Sequence, residues 1–208
     1  METVNFALLK QWLSHCENSH AALCRPDPVS NTAADAYLQA FRLIDVTKRK
    51  IVLAQPDDEY VALSYVWGRD PFLRLLRSNE SDLFLDGSLG RDNNPVPKTI
   101  SHALEAVSRL GMRYLWVDAL CIMQDNHAEK ATAISAMDLI YARAALTIVA
   151  ASGTHANAGL AGLEPHTRDP MPYEARARFP ESRHEFVVAR ASPPDLLRRS
   201  AWNTRGWT

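Results

Sequence analysis

The chain has 208 residues, enough for one domain with a full hydrophobic core and a short appendage. Its 47% hydrophobic and 23% charged content is ordinary for a soluble globular protein. A formal net charge of -1, from 23 Lys+Arg against 24 Asp+Glu, leaves no basic footprint for nucleic acid or an anionic membrane.

In chain order, Phe6, Leu9, Leu13 and Cys16 recur at helical spacing, with Trp12 adding to the stripe, so residues 4–17 are expected to form an amphipathic helix. Glu2 and the lack of a long apolar run argue against a secretory signal. Arg25-Pro26-Asp27-Pro28 ends any helix, and the small, polar residues up to Ala36 read as a linker. The expected division is therefore residues 1–36, helix and linker, and residues 37–208, the domain proper. Phe41–Val46 and Ile51–Ala54 read as a β-hairpin turning at Thr47–Lys50. Tyr60–Trp67 is a nearly continuous apolar, β-rich run stopped by Gly68, which suits a strand buried on both faces. Leu83–Leu85 is expected to be a short strand with a turn at Asp86-Gly87.

Pro97 then opens a helix whose inner face is Ile100, Ala103, Leu104, Val107 and Leu110, with Gly111 as its stop. Tyr114–Asp118 is the next strand. Asn126 and Glu129 have the spacing of a capping box, and the helix they start should run to about Arg143 with Ile134, Met137, Ile140, Tyr141 and Ala144 inward. Ala145–Ala151 is expected to be another buried strand, and the run 144–151 is too short to cross a bilayer. Past Gly153 the pattern weakens, with a strand at Glu185–Arg190 and a short helix at Pro194–Ser200. Strand alternating with helix predicts an α/β fold with a mainly parallel sheet flanked by helices, plus the N-terminal helix and an added hairpin. Three cysteines without a secretory signal read as reduced thiols in a cytoplasmic protein.

Three separated segments carry a family resemblance. They are Tyr60-Val61-Ala62-Leu63-Ser64-Tyr65-Val66-Trp67-Gly68, the run Leu110–Asp125 continued by Met137–Ala144, and Arg205-Gly206-Trp207-Thr208. In order and spacing they resemble the fungal heterokaryon incompatibility (HET) domain. Met123 stands where that family usually has an acidic residue, and His102-Ala103 where it usually has Asp-Ala. The family continues past the Trp-Thr pair, so the resemblance implies that the C-terminal part of the domain is missing here, with an inactive or regulatory truncated fragment as an alternative reading. It also implies an intracellular effector of non-self recognition and programmed cell death, acting through protein partners and homotypic self-association. The family is remotely similar to the TIR domain and so to a flavodoxin-like sheet. Some TIR members split NAD, so NAD enters as a candidate ligand by that resemblance alone.

In an open parallel sheet, ligands bind beyond the carboxyl ends of the strands. Three such ends are placed here. The first offers Ser64, Trp67 and Gly68; the second Asp118, Cys121, Gln124 and Asp125; the third Ser152 and Gly153. A NAD-cleaving site wants a carboxylate beside an oxocarbenium-like centre and an aromatic for stacking, roles open to Asp118 (or Asp125) and Trp67. The same residues have plainer readings. Asp118 would bond the backbone of the next turn, Asp125 and Asn126 would cap a helix, Trp67 and Trp116 would cover the sheet, and Ser64 would be packed in its strand. Cys121 with His127 could form a thiol–base pair or be a buried free cysteine. Cys16, His20 and Cys24, four residues apart, resemble a partial zinc site, with His15 as a fourth group. No glycine-rich dinucleotide or Walker motif is present.

Overall fold

The computed structural model describes residues 3–20, 41–168, 175–178, 185–188 and 193–204. Seven strands and seven α-helices fall within them. The strands are β1 (Arg42–Asp45), β2 (Lys50–Leu53), β3 (Tyr60–Ser64), β4 (Tyr114–Trp116), β5 (Leu146–Val149), β6 (Ala175–Arg178) and β7 (Glu185–Val188). The helices are α1 (Phe6–Ser19), α2 (Glu80–Leu83), α3 (Lys98–Leu110), α4 (Asp118–Cys121), α5 (His127–Ser135), α6 (Met137–Arg143) and α7 (Pro193–Arg199), and a 3-10 turn follows at Trp202–Thr204. The expected linker, Cys24 and the Arg205–Thr208 segment lie outside the described residues.

Five strands form one sheet in the order β2-β1-β4-β3-β5. β3 runs parallel to both β4 and β5, pairing Val61 with Leu115 and with Leu146. β1 is antiparallel to β2 and to β4. The sheet is thus mixed, not mainly parallel. The hairpin does not stand apart as an addition; its first strand docks against β4, and a tight Thr47–Lys50 turn leaves the two strands no choice but opposite directions. β6 and β7 pair antiparallel in a separate two-stranded sheet.

Register sorts the side chains to two faces. Val61, Leu63, Leu115, Leu146 and Ile148 share one face, which α3 covers, with Phe6 of α1 packed beside Ala106 and Leu110. Tyr60, Ala62 and Trp116 share the other, where Tyr60 Oη donates to Ile140 O at 2.6 Å and Trp116 meets Tyr141 edge to face. Burial on both sides explains why β3 is apolar at nearly every position. α3 forms where its punctuation directs. Pro97 precedes it, Gly111 ends it at φ +85°, and Ile100, Ala103, Leu104, Val107 and Leu110 are all buried.

Four expectations are corrected. Leu83–Leu85 is not a strand; Glu80–Leu83 is one helical turn, because an apolar run this short carries no period. The long helix is two, broken at Ala136, and the break turns Ile134 outward to 39% exposure while Ala133 is buried. β5 is only half-buried and Val149 is exposed, because it forms the edge of the five-stranded sheet. On α1 the expected stripe of Phe6, Leu9, Leu13 and Cys16 is the less exposed face, but Trp12 does not join it and is 58% exposed, since the helix touches the body mainly through its first turn. The anchor is Val4 N–H donating to Gly162 O at 2.9 Å.

Candidate functional site

The parallel strands β3 and β4 end beside one another, and the chain leaving each is tied to its neighbour. Beyond β3, Gly68 takes φ +77°, a turn that side-chain-bearing residues rarely adopt. A Cβ there would stand 2.5 Å from His155 Cβ, so the glycine also permits close contact with the loop after β5. That loop is held by Ala150 N–H to Ser64 O at 2.9 Å and Ala156 N–H to Trp67 O at 3.0 Å. Beyond β4, Asp118 opens α4, and its Oδ1 accepts from Ala119 N–H at 2.7 Å. The two ends meet where the Trp67 indole N–H donates to both Asp118 oxygens, at 3.1 and 3.0 Å.

Segment 68–79 folds back over this junction. Leu75 N–H donates to Ala119 O at 2.9 Å, and Gln124 N–H to Leu75 O at 3.0 Å. Arg77 N–H donates to the Asp125 carboxylate at 3.1 and 3.2 Å. Asn79 pins the segment to itself: its Oδ1 accepts from Leu76 N–H and its Nδ2 donates to Arg74 O. Phe72 meets Trp67 edge to face at 5.4 Å, and the Arg74 guanidinium lies over both rings, at 5.2 and 5.3 Å from their centroids.

Trp67, Asp118 and Gln124 are therefore brought together. Gln124 Nε2 donates to Asp118 O at 2.9 Å and to Ile122 O at 3.0 Å. Asp118 bonds the turn that it opens, and the Trp67 indole as well. Asp125 lies on the exposed side of the same turn and receives the Arg77 amide; Asn126 is the cap of α5. Ser64 is buried, and its Oγ accepts the Trp202 indole N–H at 2.8 Å. Cys121 lies fully buried beneath the junction, its sulfur accepting from Val117 N–H at 3.4 Å. Burial pushes its thiol up to about 12, so it stays protonated.

Ser152 is placed apart from this junction. It lines an apolar groove between the N-terminal residues, α3 and β5, with Phe6, Leu9, Ala106, Leu110 and Ile148. Cys16 and His20 lie on and just past α1, where His20 contacts His15 ring to ring. No three acidic, His or Cys groups among the described residues are placed to hold a metal ion.

Two polar clusters, each built on one buried side chain, Arg42 or His102, tie neighbouring segments together. Arg42 bridges Glu129 at 2.6 Å and Glu80 at 2.9 Å, and Glu129 also accepts the Met123 amide at 3.3 Å, fixing the turn that carries Gln124 and Asp125. Burial disfavours the Arg42 charge, but the two glutamates outweigh it and raise its pKa. On the far side, His102 Nδ1 accepts from Leu160 N–H at 3.0 Å, which leaves the ring proton on Nε2, 3.2 Å from Glu164 Oε1. Sequence reading missed Arg42, Arg74 and Trp202. The signal for Arg42 was present, a lone charge inside an apolar hairpin strand; Arg74 and Trp202 gave none, because their partners are remote or aromatic.

A mixed sheet flanked by helices, with polar and aromatic side chains gathered at its parallel strand ends, defines an α/β domain. The family model described as "Heterokaryon incompatibility protein (HET)" matches residues 60–208, and the chain belongs to that family. No curated protein and no solved structure matches it. No helix among the described residues is long and apolar enough to cross a membrane.

Proposed function

We propose that the chain is an effector or signalling module of fungal non-self recognition, acting in the cytoplasm to trigger programmed cell death through protein partners that include copies of itself. The observation that carries this reading is the family match, which takes in β3, β4, β5 and every helix between them. Exposed apolar side chains support a role in contact with other proteins, notably Trp12 on α1 and Val149 on the sheet edge. The near-neutral charge, -1, weighs against nucleic acid as a partner. Inducible expression in a fungal host tests the proposal. Growth arrest, together with mass increasing with concentration in light scattering, is the expected result. A monomer at high concentration in a host that grows normally overturns it.

A second reading is a NAD-cleaving hydrolase of the TIR type. The pairing of an aromatic with a carboxylate at the ends of two parallel strands favours it. Asp118 would stabilise the oxocarbenium-like centre and Trp67 would stack a ring of the substrate. Release of free nicotinamide from NAD, abolished by Asp118→Ala, is the expected outcome. An unchanged NAD pool with folded, assembled protein excludes it.

A further inference from the structure

We infer that Arg74 is an oxyanion-recognising residue beside the β3 and β4 strand ends, where it takes a phosphate or carboxylate group of a small-molecule ligand. The guanidinium lies over the Trp67 and Phe72 rings, at 5.2 and 5.3 Å. Cation–π contact of this kind draws the guanidinium charge to the rings and spends none of its N–H donors on an oxygen acceptor. Arg42 and Arg113 instead spend those donors on carboxylates, Arg42 on Glu80 and Glu129 and Arg113 on Asp45. Arg74 has no ion pair and no side-chain hydrogen bond among the described residues, and it is only half-buried.

Its backbone is fixed as well. The Arg74 carbonyl accepts from Asn79 Nδ2 at 2.9 Å, and the next residue, Leu75, bonds Ala119 and Gln124 across the junction. A cation fixed at both ends, with its donors unspent, matches an oxyanion without the ordering cost that a free surface arginine incurs. Local charge agrees. Segment 68–79 carries Arg69, Arg74 and Arg77 against Asp70, and neither Arg69 nor Arg77 is in an ion pair among the described residues. Asp125, which receives the Arg77 amide, offsets part of this excess.

Trp67 links the two poles of the site, with Arg74 over its face and Asp118 at its indole N–H. A ligand bound by both would present an oxyanion to Arg74 and hydroxyl donors toward Asp118. This inference goes beyond both proposed functions and requires neither, because binding an oxyanion does not require that anything be cleaved or assembled.

The experiment is titration of the whole chain with pyrophosphate and, separately, with malonate, at constant ionic strength. Calorimetry and tryptophan fluorescence, to which Trp67 contributes, serve as readouts. The expected result is saturable binding of at least one probe, weakened about ten- to a hundredfold in Arg74→Gln, the scale of one charge-assisted hydrogen-bond pair. Arg74→Lys, which keeps the charge and loses the fork, should fall between. Tighter binding of pyrophosphate assigns a phosphate ligand, and tighter binding of malonate a carboxylate one. Binding of neither probe overturns the inference, as does equal binding by Arg74→Gln with an unchanged melting curve. Should Arg74→Gln melt early, Arg74→Lys decides: undiminished binding in that variant also overturns it.

Discussion

The Trp67 indole N–H is shared between the two oxygens of Asp118, at 3.1 and 3.0 Å, so the end of one parallel strand is clasped to the end of the next. Trp67→Phe should keep the ring packing against Phe72 and Arg74 and lose only the donor. The expected cost is about 1–2 kcal/mol in urea unfolding, the scale of a partly exposed hydrogen bond to a charged group. In a double-mutant cycle with Asp118→Ala, which removes the acceptor, the two substitutions should couple by a similar amount. Strict additivity would show that the clasp contributes nothing to folding.

Gly68→Ala should destabilise by about 2–4 kcal/mol, from the left-handed backbone and the overlap with His155 together. The Cβ would stand 2.5 Å from a neighbouring Cβ, and neither is the end of a flexible side chain. Thermal melting measures it. A variant as stable as the parent would mean that the loop after β5 moves away freely.

Asp45 is buried against Arg113, which it meets at 2.8 Å. Burial pushes its carboxyl pKa up, but the Lys48 amide, the Arg113 guanidinium and the Thr47 amide outweigh that and hold it below the ordinary range. A depressed folded pKa contributes stability above the unfolded value, about 3.9, and that stability is lost as pH falls through the folded value. Asp45→Asn should therefore lower stability at neutral pH and flatten the acid limb below about pH 4. Parallel stability curves for the two proteins from pH 2 to about 7 would contradict the assignment.

Cys121 should resist Ellman's reagent at pH 8 in the folded protein, while half-exposed Cys16 reacts. The thiol is pushed up to about 12, so its contribution to stability is complete below the unfolded value, about 8.5, and is lost as pH rises toward the folded one. A Cys16→Ser/Cys24→Ser variant isolates Cys121. Its labelling should track denaturant unfolding, and fast labelling of the native protein would contradict the burial.

Much of this architecture is legible in the residues. Pro97 and Gly111 bracket α3, the apolar run 60–64 announces a doubly buried strand, and Asn126 caps α5 through the Glu129 amide at 3.4 Å. What is not legible depends on distant partners. Nothing in Arg42–Asp45 says that this strand will lie antiparallel to β4, because both neighbours offer it the same backbone ladder. The break at Ala136 has no Pro or Gly to mark it. Of the predicted crevice, the Trp67, Asp118 and Gln124 cluster is visible at the strand ends. Ser152 faces the apolar groove instead, since residues after a half-buried edge strand have no fixed side.

The Trp202 indole reaches Ser64 across 138 positions of sequence. On the ribosome, β3 would emerge and pair with β4 and β5 long before that donor exists. Until residue 202 arrives, the buried hydroxyl relies on its other partners or on water. The final seal over this face of the sheet thus follows the pairing of β3 with β4 and β5, and a nascent chain stalled before residue 202 would present an unfinished surface to the cell's quality-control machinery.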